Sequence, residues 1–365
     1  MQNRREFLAA SAAAAVPAPK GEWRNRQSGM SYRRLGRTGY MISGIVMGGN
    51  RIAPDRWEHI LLALDLGLNY LDTAPVYGRG ASEQGCARVI SSRKREQFFL
   101  NCKVSLWDLN RAKLYKDIFD SLGEPEQNRL RQTAQEGIDR SGVFETDYVG
   151  DYFKGQRGEV EAAALANVMA AKYGHKIDRD KNYRQIIVES VESSLKRLGT
   201  DHLDLLMCPH GACTPYELIN HPEIFDAFEA LKKQGKVRHL GVSAHNDPAG
   251  ILNAAIDTKV YSAAMIAYNI VNHRFVDKAI ERARKNDFGV IAMKAARPVY
   301  AGEDREPADP RRVKLIEEAV PGSLKIPQKA YSWVLRNPNL TAAIADMESA
   351  EHVRDDVPLG HTQKS

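Results

Sequence analysis

From Ser43 onward, short β-rich runs alternate with amphipathic helical runs, and that alternation limits the chain to βα units around a parallel sheet. Eight β-rich runs are legible: 43–49 (SGIVMGG), 70–74, 98–104, 203–210, 237–245, 262–269, 289–295 and 341–347. Helical periodicity fills 54–67, 82–93, 183–199, 224–236, 276–287 and 326–337. The helix ending at Lys196-Arg197-Leu198-Gly199 has basic residues in its last turn and a glycine at its stop. Eight strands with intervening helices predict an α/β fold of the closed (β/α)8 barrel type. Residues 31–42 predict a small hairpin ahead of the first strand.

One segment breaks the rhythm. About eighty residues separate Lys103 from the helix near Tyr183, where a βα connection needs only a few. This stretch predicts a large insertion after the third barrel strand, about 105–182. It has helical runs at 125–140 and 158–173 and the aromatic DYVGDYF at 147–153 between them. Because it follows a strand, it is expected on the face where barrel strands end. A solvated decoration, a lid and an oligomer contact are all open roles for it.

Charge locates a second unit. Residues 1–40 hold eight basic residues against Glu6 and Glu22, so the net charge of +6 resides there and the rest of the 365-residue chain balances. A basic folded face is therefore not implied, and nucleic acid is not an expected partner. The start, MQNRREFLAASAAAAVPAPKG, places Arg4-Arg5 before Phe7-Leu8, then an Ala-rich run and Val16-Pro17-Ala18. That is the pattern of a signal peptide of the twin-arginine kind. It divides the chain into a signal peptide and linker at 1–29 and a barrel at 30–365. It also predicts an exported, periplasmic location that depends on the twin-arginine export machinery; without a working signal the location is cytoplasmic. Oligomeric state is not legible. Cys86, Cys102, Cys208 and Cys213 show no CxxC spacing, so no metal site is expected. An oxidising compartment would permit a disulfide, of unspecified pairing.

Three strand ends carry chemistry: LDTAPVYGRGASE from Leu71, FFLNCKV ending at Val104, and LDLLMCPHG from Leu203. They place Asp72, Tyr77, Lys103 and His210 at the C-terminal ends of consecutive strands, where a barrel keeps its active site. Carbonyl reduction leaves charge on oxygen, so a proton donor must stand beside it. Tyr77 supplies one, and a neighbouring cation, Lys103, is expected to lower its pKa from about 10. Asp72 would hold the ammonium, and His210 would orient the carbonyl oxygen. Taken singly, Asp72 reads as a turn or cap residue, Lys103 as a paired structural charge and His210 as a satisfied polar group; the arrangement favours catalysis. His202, His239 and His245 compete with His210, but only His210 ends its strand in this context.

These segments resemble the aldo-keto reductase superfamily, whose members place an Asp, Tyr, Lys and His tetrad on a TIM barrel. GVSAHN at 241–246, AYN at 267–269, GVIAMK at 289–294 and WVLRNP at 333–338 are similar too, so the likeness covers most of 31–357. The resemblance implies an NAD- or NADP-dependent oxidoreductase that interconverts a carbonyl and an alcohol, with Tyr77 as general acid or base. It implies cofactor contacts at Gly48, Gly49, Ser243, Asn246, Tyr268, Lys294, Met347 and Glu351. Gly48 and Gly49 also read as a tight turn. Ala244 and Ala267 depart from the family's usual Asn and Gln, and His245 or Asn246 could compensate for the first. Asp346, Glu348 and Glu351 stand near the expected adenosine-phosphate region and favour NAD, against Arg354 and His352. Trp107, Tyr300 and the insertion aromatics either line a pocket or pack in the core. An exported enzyme meets little free cofactor, which makes a sugar or polyol substrate and a retained cofactor attractive. The alternatives are a redox-neutral sugar-modifying enzyme with an internally recycled NAD(P), and a non-catalytic binding barrel.

Overall fold

The computed structural model describes residues 21–104, 113–150, 152–300 and 307–361; the arginine pair and the small residues of the N-terminus lie outside them, as does Trp107. Two short strands, β1 (Glu22–Trp23) and β2 (Tyr32–Arg34), flank β3 (Tyr40–Ser43), and β2 and β3 form the expected antiparallel hairpin. Eight parallel strands follow: β4 (Ile45–Met47), β5 (Tyr70–Asp72), β6 (Phe99–Lys103), β7 (Leu203–His210), β8 (Val237–Ala244), β9 (Ala263–Ala267), β10 (Gly289–Met293) and β11 (Ala342–Ala345). They close in sequence order, with β11 pairing β4, into a (β/α)8 barrel.

Alternate residues of each strand point inward. Tyr70, Phe99, Met207, Met265, Ile291 and Met293 fill the interior, and the hairpin residues Leu35, Tyr40 and Ile42 plug its N-terminal end, Tyr40 stacking on Phe99 at 4.2 Å. Buried Asp204 ties this end together, bridged by Arg24 at 2.9 Å and Arg95 at 2.7 Å, and accepts the Leu100 amide at 2.9 Å. The outward residues meet the helices in a second apolar layer. The helix Ile186–Leu198 stops where read, at Gly199, whose φ of 66° closes the helix through a bond to the Leu195 carbonyl.

The insertion forms the two expected helices, Glu124–Ser141 and Gln156–Tyr173. They pack on each other through Ala134, Ile138, Val160 and Ala163, and Cys213 from the loop after β7 joins that cluster. The segment between them reaches across the loops after β8, β9 and β10. Tyr148 Oη donates to Asp247 at 2.6 Å, Gln156 Nε2 to Asn246 Oδ1 at 2.7 Å, and Asn269 Nδ2 to Tyr152 Oη at 3.0 Å. Arg297 Nε reaches the Tyr152 carbonyl at 3.2 Å, and Arg312 pairs with Asp147 at 2.8 Å. The insertion therefore sits on the face where the strands end. The four cysteines are buried thiols, none in a disulfide. Among the described residues no helix is long and apolar enough to cross a membrane, and no group of His, Cys, Asp and Glu has the arrangement of a metal site.

Candidate active site

The interior becomes polar at the C-terminal end because the inward series of several strands finish on polar residues. Tyr70 is followed by Asp72 on β5, and Phe99 by Asn101 and Lys103 on β6. On β7 the pairing with β8 slips between Met207 and His210. Pro209, which has no amide to donate, occupies that irregularity, and the extra residue re-aims His210. His210 then pairs in register with Ser243.

Lys103 Nζ donates to both carboxylate oxygens of Asp72 and to the Thr73 carbonyl at 3.3 Å. Asn101 Nδ2 donates to the same carboxylate at 2.5 Å. The ammonium lies 4.6 Å from the Tyr77 ring centroid, and Tyr77 meets the His210 ring edge-on at 6.0 Å. Asp72 and Lys103 are 2% and 1% exposed, so this pair is shielded from water. Burial opposes the charge on Lys103, yet Asp72 and Tyr77 together raise its pKa above the ordinary lysine value. The expectation that Lys103 brings the Tyr77 phenol below 10 is corrected. Burial is the larger effect and pushes Tyr77 up to about 12, with Lys103 pulling the other way as charge and hydrogen-bond donor. His210 is driven down to about 3, by burial first and then by Lys103 and Lys294, so its imidazole is neutral.

Of the expected cofactor residues, Ser243 and Lys294 lie at this mouth. Ser243 is 1% exposed. Lys294 holds a left-handed backbone, φ 60°, unusual for a lysine and costly without a local purpose; its charge acts on His210, His245 and Asp346. Gly48 and Gly49 form the floor. A Cβ there would lie 2.3 Å from Asp346 Oδ1 and 2.0 Å from the Asp72 carbonyl, so close packing within the protein already requires both glycines.

The other four stand elsewhere. Tyr268 points outward from β9, stacks on Trp333 at 5.7 Å, donates to Asp277 at 2.8 Å and accepts from Asn337 at 3.0 Å. A cofactor cannot reach it from the mouth, and its assignment as a contact is corrected. Met347 is 1% exposed and packs in the layer between barrel and helices, so its side chain is likewise withdrawn from the mouth. Asn246 is buried, its amide accepting from Gln156 and donating to Cys213 Sγ at 3.1 Å. Glu351 is exposed on the helix Ala350–Asp356, 3.4 Å from Lys325. Tyr300 is 47% exposed.

Several residues join the site without having been singled out for it. Asn101 braces Asp72. Asp346 continues the inward series Ala342, Ile344 of β11, so its carboxylate faces Lys294 across the mouth; strand periodicity alone carries that signal. Tyr152 and Phe153 of the insertion lie 6.4 and 5.6 Å from the His245 ring, a meeting across some ninety residues that no local pattern reveals.

The profile of the Aldo/keto reductase family matches residues 45–151 and 147–365. Among curated proteins, the chain is 30% identical to the oxidoreductase YdhF of Escherichia coli over 186 residues, half of this chain and 58% of that protein. It is 20% identical to the oxidoreductase YqkF of Bacillus subtilis over 356 residues, 92% of each. The chain spans about half the length of some relatives, 51% of the aldo-keto reductase AMT2 of Alternaria alternata. Among solved structures, the aldo-keto reductase AKR11C1 from Bacillus halodurans in its holo form superposes with a TM-score of 0.58 at 20% identity, over 90% of each chain. The thermostable aldo-keto reductase Tm1743 gives 0.58 at 21%, over 90% of this chain and 94% of that one. At these identities the structures speak for the barrel alone.

Proposed function

Because the chain belongs to the aldo/keto reductase family, we propose that it is an oxidoreductase interconverting a carbonyl and an alcohol by hydride transfer with a nicotinamide dinucleotide, NAD in preference to NADP. One observation carries this reading: a buried ammonium, Lys103, is clamped by Asp72 against the ring of Tyr77, with neutral His210 edge-on to that ring. A bound nicotinamide would supply or accept the hydride. Tyr77 holds a proton at Oη and gives it to the substrate oxygen as negative charge develops there. The Lys103 charge stabilises the phenolate left behind, and Asp72 keeps that charge in place in a dry site. His210 orients the substrate oxygen through a hydrogen bond. In the reverse direction Tyr77 is the base.

The mouth fits a nicotinamide amide through the Ser243 hydroxyl, with Lys294 beside it and the glycine floor beneath. Asp346 opens on the mouth, and Glu348, 3.2 Å from Arg51, and Glu351 lie beyond it. Glu348 and Glu351 are already engaged by Arg51 and Lys325, so the support for NAD rests on Asp346, whose carboxylate repels a 2′-phosphate and accepts from a ribose hydroxyl. The test is to denature the purified protein, identify any released dinucleotide by mass spectrometry, and follow absorbance at 340 nm with NADH and NADPH against aldehydes, ketones and sugars. No hydride transfer with either cofactor across that panel would overturn the reading.

The insertion's bonds to the loops after β8 and β9 favour a second reading, in which the cofactor is retained and recycled within a redox-neutral reaction. Mass balance separates the two, because a redox-neutral enzyme converts substrate without net cofactor change. Export through the twin-arginine machinery is also proposed, from Arg4-Arg5 and the small residues at 16–18. Replacing both arginines with lysine should hold the protein in the cytoplasm; unchanged recovery outside it would refute the signal.

A further inference from the structure

The inward positions of β8 run Gly241, Ser243, and the next in that series is His245, just past the strand. Ser243 pairs with His210, so His245 stands one inward position above His210 on the neighbouring strand. The two imidazoles are near enough to act on one another electrostatically, so a small molecule held at His210 has His245 as its neighbour.

His245 has an unmet requirement. Its Nδ1 is sealed from solvent and has no hydrogen-bond partner among the described residues. Buried polar atoms are paired with few exceptions, and an exception in a site points to a missing partner. The rings of Phe153 and Tyr152 lie beside the imidazole, centroid to centroid at 5.6 and 6.4 Å. Both belong to the insertion, whose Tyr152 is fixed by Asn269. Aromatic rings beside a polar atom suit a ligand with C–H faces and hydroxyl edges. The charged groups facing His245 are Lys294 and Lys103, with His210 near. After burial itself, these act to keep the imidazole neutral, far below its usual pKa. A neutral imidazole presents one donor and one acceptor. A hydroxyl both donates and accepts, so it satisfies either tautomer. A carboxylate or phosphate only accepts, and the Lys294 ammonium is the stronger partner for it.

We propose that His245 is a specificity-determining residue that binds a hydroxyl group next to the reacting carbonyl, so that the site takes hydroxy-carbonyl compounds of the sugar class and their polyol products. This rests on the hydride-transfer reading above.

The test compares glyceraldehyde with propanal, which lacks the hydroxyls, in the wild-type protein, His245→Ala and His245→Gln. The expected result is that His245→Ala lowers the ratio of kcat/KM for glyceraldehyde over propanal at least tenfold, mainly through KM. His245→Gln, whose amide also donates and accepts, recovers part of that ratio. An unchanged ratio overturns the proposal. So does an equal fall for both aldehydes with a raised NAD dissociation constant, which makes His245 a cofactor residue. A second readout needs no turnover: the His245 ring nitrogens, assigned by NMR from the signals lost in His245→Gln, should shift with glycerol and not with 1-propanol. No shift with glycerol overturns the proposal. A shift with glycerol in a protein that reduces neither aldehyde supports it and counts against the hydride-transfer reading alone.

Discussion

Tyr77 and Lys103 perform different tasks, and substitution should separate them. Tyr77→Phe removes a hydroxyl and keeps the ring, so the packing of the barrel is preserved. It should lower hydride transfer by ~10²–10⁴-fold, the usual contribution of a general acid, with NAD affinity and thermal midpoint nearly unchanged. A Phe variant within about threefold of wild type ends the assignment. Lys103→Met instead leaves Asp72 buried without its cation, and breaking such a pair costs about 3–5 kcal/mol, so it should lose stability together with activity. The pH profile follows from the same groups. Tyr77 keeps its proton until about 12, and His210 stays neutral until about 3. Reduction should therefore show a flat kcat/KM from about pH 5 to 9; an inflection near 7 would mean that another group donates the proton. Asp72, Lys103 and His210 were legible because each ends a strand that its own β-rich run announces, and Tyr77, five residues past the end of β5, because it shares the sequence run that carries Asp72. Tyr268 was misread although the signal was there: the alternation of Ala263, Met265 and Ala267 inward leaves 268 outward. The engagement of Asn246 by Gln156, ninety residues away in sequence, has no local signature at all.

All eight barrel strands were legible as elements, because a strand inside a barrel is apolar on both faces and reads as a continuous run. Helices were harder. Pro248–Thr258 was not among those read, since Gly250 and its many alanines blunt the contrast between its faces. Its start is nevertheless marked by Asp247, which caps the Gly250 amide, and by Pro248 in the first turn. The insertion was legible as a helix pair, but its docking was not, because its anchors are single polar residues. Tyr148 is the main one: its hydroxyl donates to Asp247, itself 6% exposed, and accepts the Ala249 amide at 3.0 Å. Tyr148→Phe leaves a buried carboxylate short of a donor, a loss of about 1–3 kcal/mol concentrated at this junction. If the insertion retains the cofactor, Tyr148→Phe combined with Gln156→Ala should speed NAD dissociation severalfold in stopped-flow fluorescence, while Tyr77 and Lys103 are untouched. Hydrogen exchange that rises across 145–156 with no change in dissociation would remove the retaining role and leave the insertion as decoration.

At the scale of the molecule, the barrel shelters histidines that it holds uncharged at both ends, and this sets its response to acid. His210 at the mouth is driven down to about 3, and His239 at the plugged end, edge-on to Tyr40 at 5.0 Å, to about 4, burial being the first cause in each. In the unfolded chain both return to about 6.5. A depressed folded value means that the unfolded state binds more protons between the two values. The stability these groups contribute is thus present above 6.5 and lost as pH falls toward 4 and 3. Asp204, held below its ordinary value by Arg95 and Arg24 against the effect of burial, has the same sign, but its loss begins only below about 4. The first acid loss therefore belongs to the histidines, on the order of 2 kcal/mol each by pH 5. The thermal midpoint should drop by several degrees between pH 7.5 and 5, a window in which the carboxylates of the Asp204 network are still ionised. His239→Gln keeps a polar side chain of similar size that does not titrate, so it should flatten the curve over that window without touching the mouth. Asp356, which burial raises to about 6, titrates in the same window with the opposite sign, so the informative comparison is with the variant: a His239→Gln curve parallel to that of the wild type would show that the His239 imidazole is already charged in the folded barrel.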